Sequence, residues 1–161
     1  MAELPHIDEH AAWIDAEPDL VWRALGKVVA ANSPPRARPF GRLLGVRPLE
    51  RSGDPLSVGS TILGFRTARV QPEAELALEG EHRFSRYALI FRIHPASGGG
   101  SSLRAETRAE FPKARGRVYK ALVIGTRGHV VVVRRLLRSV KVRAERSQAG
   151  ARPVDGSGIH A

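Results

Sequence analysis

Two strands are predicted within residues 76–93, LALEGEHRFSRYALIFRI. Apolar and charged side chains alternate along this stretch, which is the period of a β-strand with one buried face. The buried face of the first strand is expected to hold Leu76, Leu78, Gly80, His82 and Phe84. That of the second is expected to hold Tyr87, Leu89, Phe91 and Ile93. The stretch therefore predicts two antiparallel strands that cover a core with one face only.

A third strand of the same kind follows a flexible loop. Residues 94–101, HPASGGGS, are rich in glycine and serine, which is typical of a hairpin connection. Residues 103–111, LRAETRAEF, then alternate strictly between charged side chains and smaller or apolar ones. Together these patterns predict a half-solvated antiparallel meander over residues 58–111.

Short elements are predicted on the N-terminal side of the meander. Residues 6–15 alternate loosely and suit a strand. A helix is expected to begin near Pro18, which fits a first helical turn, and the acids beside it favour the positive end of the helix dipole. A second short helix is predicted at residues 39–44 and is closed by Gly45.

A long amphipathic helix is predicted on the C-terminal side, after Pro112. Its apolar stripe, at intervals of three or four residues, consists of Val118, Leu122, Gly125, His129, Val132, Leu136 and Val140. A different stripe is basic and consists of Arg117, Lys120, Arg127, Arg134, Arg138 and Lys141. The apolar stripe is expected to face the sheet. From Ser147 onward no periodicity remains, which predicts a disordered tail.

This order of elements resembles the START-like helix-grip superfamily, also called SRPBCC, which includes polyketide cyclases and lipid-transfer proteins. The runs that carry the resemblance are IDAEPDLVW at residues 14–22, GEHRFSRYALIFRI at 80–93 and YKALVIGTRGH at 119–129. The last two runs are similar to a little-characterised bacterial branch. The resemblance implies an α+β helix-grip fold, in which a curved antiparallel sheet wraps around a long C-terminal helix and two short helices follow the first strand. It implies one domain at residues 1–146 and a tail at residues 147–161.

Composition excludes several classes of protein. The chain of 161 residues contains no cysteine, so it has neither a disulfide framework nor a cysteine nucleophile. The segment MAELPHIDEH lacks the basic flank and apolar run of a signal peptide. No apolar run approaches the roughly 18 residues of a membrane span. We therefore expect a soluble, cytoplasmic domain.

The positive charge is concentrated in one segment. Residues 113–146 hold eleven Lys or Arg side chains and one acid, Glu145, which accounts for the whole net charge of +10. Such a stripe is usually a solvated helix face, but it also attracts phosphates or anionic lipid headgroups. A basic surface that contacts anionic membranes or nucleic acid without specificity is therefore one alternative function. No motif for specific nucleic-acid recognition accompanies the charge.

The expected function is the binding of a small, mostly apolar molecule, because a curved sheet with one long helix leaves a cavity between them. No cofactor is expected, and the domain is expected to be a monomer or a homodimer. The candidate ligand-binding residues are Trp22, Phe65, His82, Phe84, Tyr87, Phe91, Tyr119, Leu122 and His129. The aromatic residues among them also suit a plain core.

His82 and His129 are the candidate catalytic residues, since the sheet pattern and the helix stripe place both toward the cavity. A neutral imidazole suits general acid–base chemistry, so a polyketide cyclase or dehydratase-like enzyme is a second alternative. Each histidine could instead be buried and satisfied by a local hydrogen bond.

One metal pattern is present but lies in the wrong context. His6-Ile7-Asp8-Glu9-His10 matches H-x-x-E-H, which requires a helix to bring both histidines to one face. Here the pattern runs into a predicted strand beside Pro5. We therefore expect no metal site.

Overall fold

A computed structural model describes residues 4–31, 45–62, 64–83, 85–111 and 128–151. The elements in these ranges are β1 His6–Ile14, α1 Pro18–Ala31, β2 Thr61–Ile62, β3 Phe65–Gln71, β4 Glu75–His82, β5 Ser85–Pro95, β6 Ser101–Glu110 and α2 Gly128–Ala151. The predicted helix at residues 39–44, Phe84, and the stripe residues from Arg117 to Arg127 lie outside the described residues. Neither α1 nor α2 is long and apolar enough to cross a membrane.

The strands of the described ranges form one curved antiparallel sheet in the order β1-β6-β5-β4-β3-β2. Strands β3 to β6 are the predicted meander, and β1 adds to its far edge by pairing with β6. The C-terminal helix α2 packs on α1 and on β1. The predicted α+β class, with a curved sheet and a long C-terminal helix, is confirmed.

The register of the sheet confirms the predicted alternation. Leu76 lies opposite Phe91, and Phe91 lies opposite Ala105, so that one row of side chains runs across three strands on one face. This face is called the inner face, because its apolar residues join α1 and α2 in a single core. Phe91 and Leu76 are both fully buried in that core.

The first helix begins where the sequence predicts, and its start is fixed to the end of α2. The carbonyl of Glu17 accepts hydrogen bonds from the amides of Leu20 and Val21, both at 3.1 Å, which closes the first turn. The amide of Glu17 in turn donates to Gln148 Oε1 of α2, at 3.2 Å. The amide of Asp15 donates to Glu145 Oε1 at 3.0 Å. Two side-chain acceptors of α2 thus bind the backbone amides of the segment between β1 and α1.

The predicted apolar stripe of α2 is correct at Leu136 and Val140 and wrong at Val132. The buried residues of this helix are Val133, Leu136, Leu137, Val140 and Ala144, whereas 55% of Val132 is exposed. Four consecutive valines occupy residues 130–133, so the local pattern fits more than one helical phase. The buried leucines and alanine further along α2 determine which face of the helix is buried. Val133 lies on that face, because it is one helical turn before Leu137.

The predicted start of the tail at residue 147 is too early. The helix α2 continues to Ala151, so residues 147–151 are helical. Gln148, within this last stretch, contacts the start of α1 as described above. Residues 152–161 lie outside the described residues.

The opposite face of the sheet, called the outer face, is less solvated than the alternation predicts. Glu106 is only 5% exposed, at the centre of a network of charges. It accepts hydrogen bonds from Arg92 Nη1 at 2.7 Å and from Arg108 Nε at 2.6 Å, and it lies 3.3 Å from His6 Nδ1. Arg92 also donates to Glu75, on β4, at 3.0 Å. These charges from four strands hold the outer face together.

The network controls the protonation of Glu106. Burial by itself would raise the pKa of this carboxyl, but the hydrogen bonds from Arg92, Arg108 and His6 lower it from 4.5 to about 2. A carboxyl whose pKa is lower in the folded state stabilises the fold above its unfolded pKa. This stabilisation is therefore present above pH 4.5 and is lost as the pH falls toward 2.

The helical phase of α2 can be tested with two adjacent valines. Val133→Ala should lower the free energy of unfolding by roughly 1–2 kcal/mol, at about 0.8 kcal/mol for each buried methyl or methylene lost. Val132→Ala should change it by less than about 0.5 kcal/mol, because that side chain is exposed. Urea denaturation of both variants measures the difference, and a larger loss at Val132 would contradict the phase.

The outer-face network predicts a specific pH dependence. At pH 7, Glu106→Gln should lower the free energy of unfolding by about 1.5–3 kcal/mol, since it removes hydrogen bonds to charged groups. The difference from the wild type should shrink as the pH falls from 4.5 toward 2, where Glu106 itself becomes protonated. Urea titrations at several pH values measure this.

Glu110→Gln is the matched control, because its exposed pair with Arg86 should contribute less than about 1 kcal/mol. A constant difference between wild type and Glu106→Gln at every pH would show that Glu106 is not ionised in the network.

Candidate functional site

The inner face of the sheet is divided into two halves of different polarity. Where β1 ends and β6 begins, most inward side chains are apolar and belong to the core, such as Ile14, Leu103 and Ile93. The buried Ser101 at this end donates its hydroxyl to the carbonyl of Ala16 at 2.7 Å. At the other end the register brings polar side chains inward. This second region is called the polar half, and its polar residues are Asp8, His10, His82, Ser85, Tyr87 and Thr107. Ala109 is buried there without being part of the core cluster.

Tyr87 lies flat across β4 in the polar half, because Gly80 opposite has no side chain. A Cβ at Gly80 would lie 2.6 Å from the Tyr87 ring and 2.0 Å from the carbonyl oxygen of Gly64. The Tyr87 hydroxyl passes over this position and donates to that same Gly64 oxygen at 2.7 Å. The ring of Phe65 meets the ring of Tyr87 edge-on, with centroids 5.1 Å apart. The glycine therefore positions two of the predicted ligand-binding aromatics.

His82 ends β4 and points to the inner face, as its sequence parity predicts. Its Nε2 and the hydroxyl of the buried Ser85 share a hydrogen bond of 3.0 Å. Burial lowers the pKa of His82 below its ordinary value of 6.5, so the imidazole is neutral at pH 7. The histidine also lines a cavity of about 370 Å³ together with Gly45, Arg47, Glu81 and Arg83. A neutral imidazole beside a hydroxyl can orient a polar ligand group.

A second polar cluster, on β1 and β6, was not predicted as a site. His10 Nε2 lies 3.4 Å from Asp8 Oδ2, and both side chains are about one-fifth exposed, at 18% and 21%. Asp8 faces Thr107 across the strand pair, and His10 faces Ala105. Among the described residues, the buried Thr107 Oγ1 has no hydrogen-bond partner, and the contact of the buried His10 Nε2 with Asp8 is not a hydrogen bond. The parity that His10 shares with Ala12 and Ile14 was the sequence signal for this placement.

The two histidines of the zinc pattern lie on different faces of the sheet. An irregularity in the pairing between His6 and Asp8 breaks the alternation of β1. His6 consequently contacts Glu106 on the outer face, while His10 lies on the inner face. Among the described residues no group of acids and histidines could hold a metal ion.

The predicted ligand-binding residues occupy different environments. Phe65, His82 and Tyr87 lie together at the polar half. Trp22 and Phe91 are in the core cluster, and Phe91 is fully buried. Phe84, Tyr119 and Leu122 lie outside the described residues, and the side chain of His129 does too. Whether His82 and His129 share a cavity therefore stays a prediction.

The two polar clusters lie at separate places on the inner face. The Asp8–His10 pair is on edge strand β1, whereas His82 and Tyr87 are on β4 and β5, so β6 separates β1 from the strand that carries Tyr87. Leu89, opposite Thr107, lies between them. The surface between the clusters is thus apolar and its ends carry hydrogen-bonding groups. This arrangement suits a molecule with an apolar body and at least one polar group.

Solved structures of similar shape share this fold. An uncharacterised protein from Rhizobium leguminosarum aligns over 89% of this chain and 97% of its own, with a TM-score of 0.58 and 15% identity. A norcoclaurine synthase point mutant from Thalictrum flavum, in complex with a transition-state analogue, aligns over 90% of this chain and 99% of its own, with a TM-score of 0.57 and 13% identity. A protein from Mesorhizobium loti aligns over 87% and 97%, with a TM-score of 0.51 and 18% identity.

These structural similarities confirm the helix-grip fold that the resemblance of the three sequence runs implies. No protein-family model matches the chain, and no curated protein matches it significantly. At 13–18% identity, the similar structures establish the fold and do not identify a ligand.

The close approach at Gly80 predicts a large effect of adding one methyl group. Gly80→Ala should lower the free energy of unfolding by about 1–3 kcal/mol or more, because the methyl group would overlap the backbone of Gly64 and displace the Tyr87 ring. Gly150→Ala is the control, since a Cβ there meets nothing within 4 Å. It should leave stability unchanged or slightly raised, because alanine favours the helix. Equal effects at both glycines would contradict the packing at Gly80.

Proposed function

We propose that the protein binds a small, mostly apolar molecule between the inner face of the sheet and the C-terminal helix. The polar half of the inner face is the proposed floor of the site. Phe65 and Leu89 would contact the apolar body of the ligand. His10, Thr107 and His82 would form hydrogen bonds to its polar groups.

One observation carries this proposal, namely the polarity of half of a face that is otherwise core. Burying a polar group without a hydrogen bond typically costs about 1–3 kcal/mol, so polar side chains inside a domain normally have partners. Among the described residues, Thr107 Oγ1 has no hydrogen-bond partner, and His10 Nε2 has only its 3.4 Å contact with Asp8, which is not a hydrogen bond. A bound molecule with donor and acceptor groups would satisfy them.

A structure of similar shape supports the binding of a small molecule by this fold. The norcoclaurine synthase mutant, which aligns over 90% of this chain, carries a transition-state analogue. The helix-grip fold therefore accommodates a small molecule in at least one protein of this shape. For this chain the ligand chemistry is inferred from its own residues.

Acid–base catalysis is a second candidate function, and two features favour it. The imidazole of His82 is neutral at pH 7, since burial lowers its pKa. The contact between His10 and Asp8 could orient the His10 ring in the same way that a carboxylate orients a catalytic imidazole. Ligand binding is the more direct proposal, because it requires no reaction partner.

The proposal can be tested by native mass spectrometry of protein purified from its own host, followed by displacement with a fluorescent apolar probe. The wild type should carry a co-purifying small molecule or bind the probe. Thr107→Phe should abolish both, because it fills the centre of the polar half.

Ala11→Phe is the matched control, since it adds a phenylalanine to the outer face of the neighbouring strand, at an exposed position. It should retain binding. Circular dichroism and thermal melting establish that both variants fold. If the folded Thr107→Phe protein binds as well as the wild type, the ligand does not occupy the polar half.

A further inference from the structure

A broad basic groove lies on the opposite side of the helices from the sheet. Its volume is about 1040 Å³. Lys27 of α1 contributes to one wall, and the remaining lining comes from α2. The cationic lining residues are Lys27, Arg134, Arg135, Arg138, Arg143 and Arg146. The described residues contribute no acidic side chain to the lining.

Within the described part of the chain, the cations of this groove have no acidic partners, in contrast to several arginines of the sheet. On the outer face, arginines such as Arg92, Arg104 and Arg108 each form an ion pair with a glutamate. Among the described residues, none of the six groove cations forms an ion pair. The protein thus neutralises its arginines on one surface and leaves a concentrated positive charge on the other.

Small residues give the groove its depth along α2. Arg135, Ser139, Arg143 and Ser147 follow one another at intervals of four residues and therefore lie in one row. The hydroxyls of Ser139 and Ser147 donate back to the carbonyls of Arg135 and Arg143, at 2.9 and 3.1 Å. The serines stay close to the helix axis, and the arginines project beside them. From Arg134 to Ser147 the lined segment is roughly 20 Å long, at 1.5 Å per helical residue.

We infer that this groove binds the phosphodiester backbone of a nucleic-acid strand without base specificity. The guanidinium group presents a planar set of donors that fits phosphate oxygens in a bidentate manner, and five of the six cations are arginines. An elongated polyanion can contact cations spaced along 20 Å of helix, as the row on α2 requires. This inference is independent of the proposed apolar ligand, which would occupy the opposite side of α2.

A strand fits this surface better than a bilayer does. An interfacial helix places an apolar face into the membrane, but the main apolar face of α2 is packed in the core. Among the described residues, a single apolar side chain lines the groove, that of Val142, which is 41% exposed.

The test is fluorescence anisotropy with a labelled single-stranded oligonucleotide of mixed sequence, titrated at salt concentrations from about 50 to about 200 mM. The wild type should bind at low salt, and its affinity should fall steeply as salt rises. For Arg135→Gln/Arg143→Gln, the slope of log affinity against log salt should be less steep by about 1.4, since each lost phosphate contact on a single strand removes about 0.7.

Arg86→Gln/Arg104→Gln is the matched control, because it removes the same charge from exposed positions on the sheet. Its slope should equal that of the wild type. All four substituted arginines are exposed, so both variants should fold, and melting temperatures check this.

Three results would overturn the inference. The first is no oligonucleotide binding by the wild type at low salt. The second is an equal change of slope in both double variants, which would indicate an effect of net charge alone. The third is binding to phosphatidylserine vesicles without binding to the oligonucleotide, which would assign the groove to a membrane surface.

Discussion

The antiparallel register of β4, β5 and β6 is the constraint on which the rest of the structure depends. Leu76 pairs with Phe91, and Phe91 pairs with Ala105. Because side chains alternate between faces, these pairings determine which face each remaining residue of the three strands points to. A shift by one residue would turn Phe91 to solvent and bring Glu106 into the core. The same register therefore determines the core, the charge network of the outer face and the polar half of the inner face.

Charge is used in two different ways on the two sides of the protein. On the outer face, Glu106 and Glu75 are held between arginines, and the low pKa of Glu106 reflects how strongly these partners favour its ionised form. Such pairing stabilises the sheet and cancels its charge. Among the described residues, the groove arginines of α2 have no acidic partners, which leaves a field that attracts anions.

In the polar half of the inner face, some buried polar atoms form no hydrogen bond to the described residues. Tyr87 has a backbone partner at Gly64, and His82 has Ser85. Among the described residues, the buried Thr107 Oγ1 has no hydrogen-bond partner, and His10 Nε2 has only a contact with Asp8 that is not a hydrogen bond. A protein that lacked a ligand would be more stable with apolar residues at these positions. Residues that reduce stability in this way are typical of binding sites, which is why the proposed ligand is placed here.

The alternation in residues 76–111 was sufficient to predict the sheet and the inward position of His82, because period and burial are properties of local sequence. The helical spacing of the apolar stripe likewise predicted the buried face of Leu136. The pairing of β1 with β6 was not predictable in the same way. It joins residues nearly a hundred positions apart, and only that pairing brings Asp8 and His10 opposite Thr107 and Ala105. Likewise, the four valines before Arg134 fit several helical phases, and packing against α1 and the sheet selected Val133. Local sequence thus determined which residues could be buried, while long-range contacts decided which of them meet.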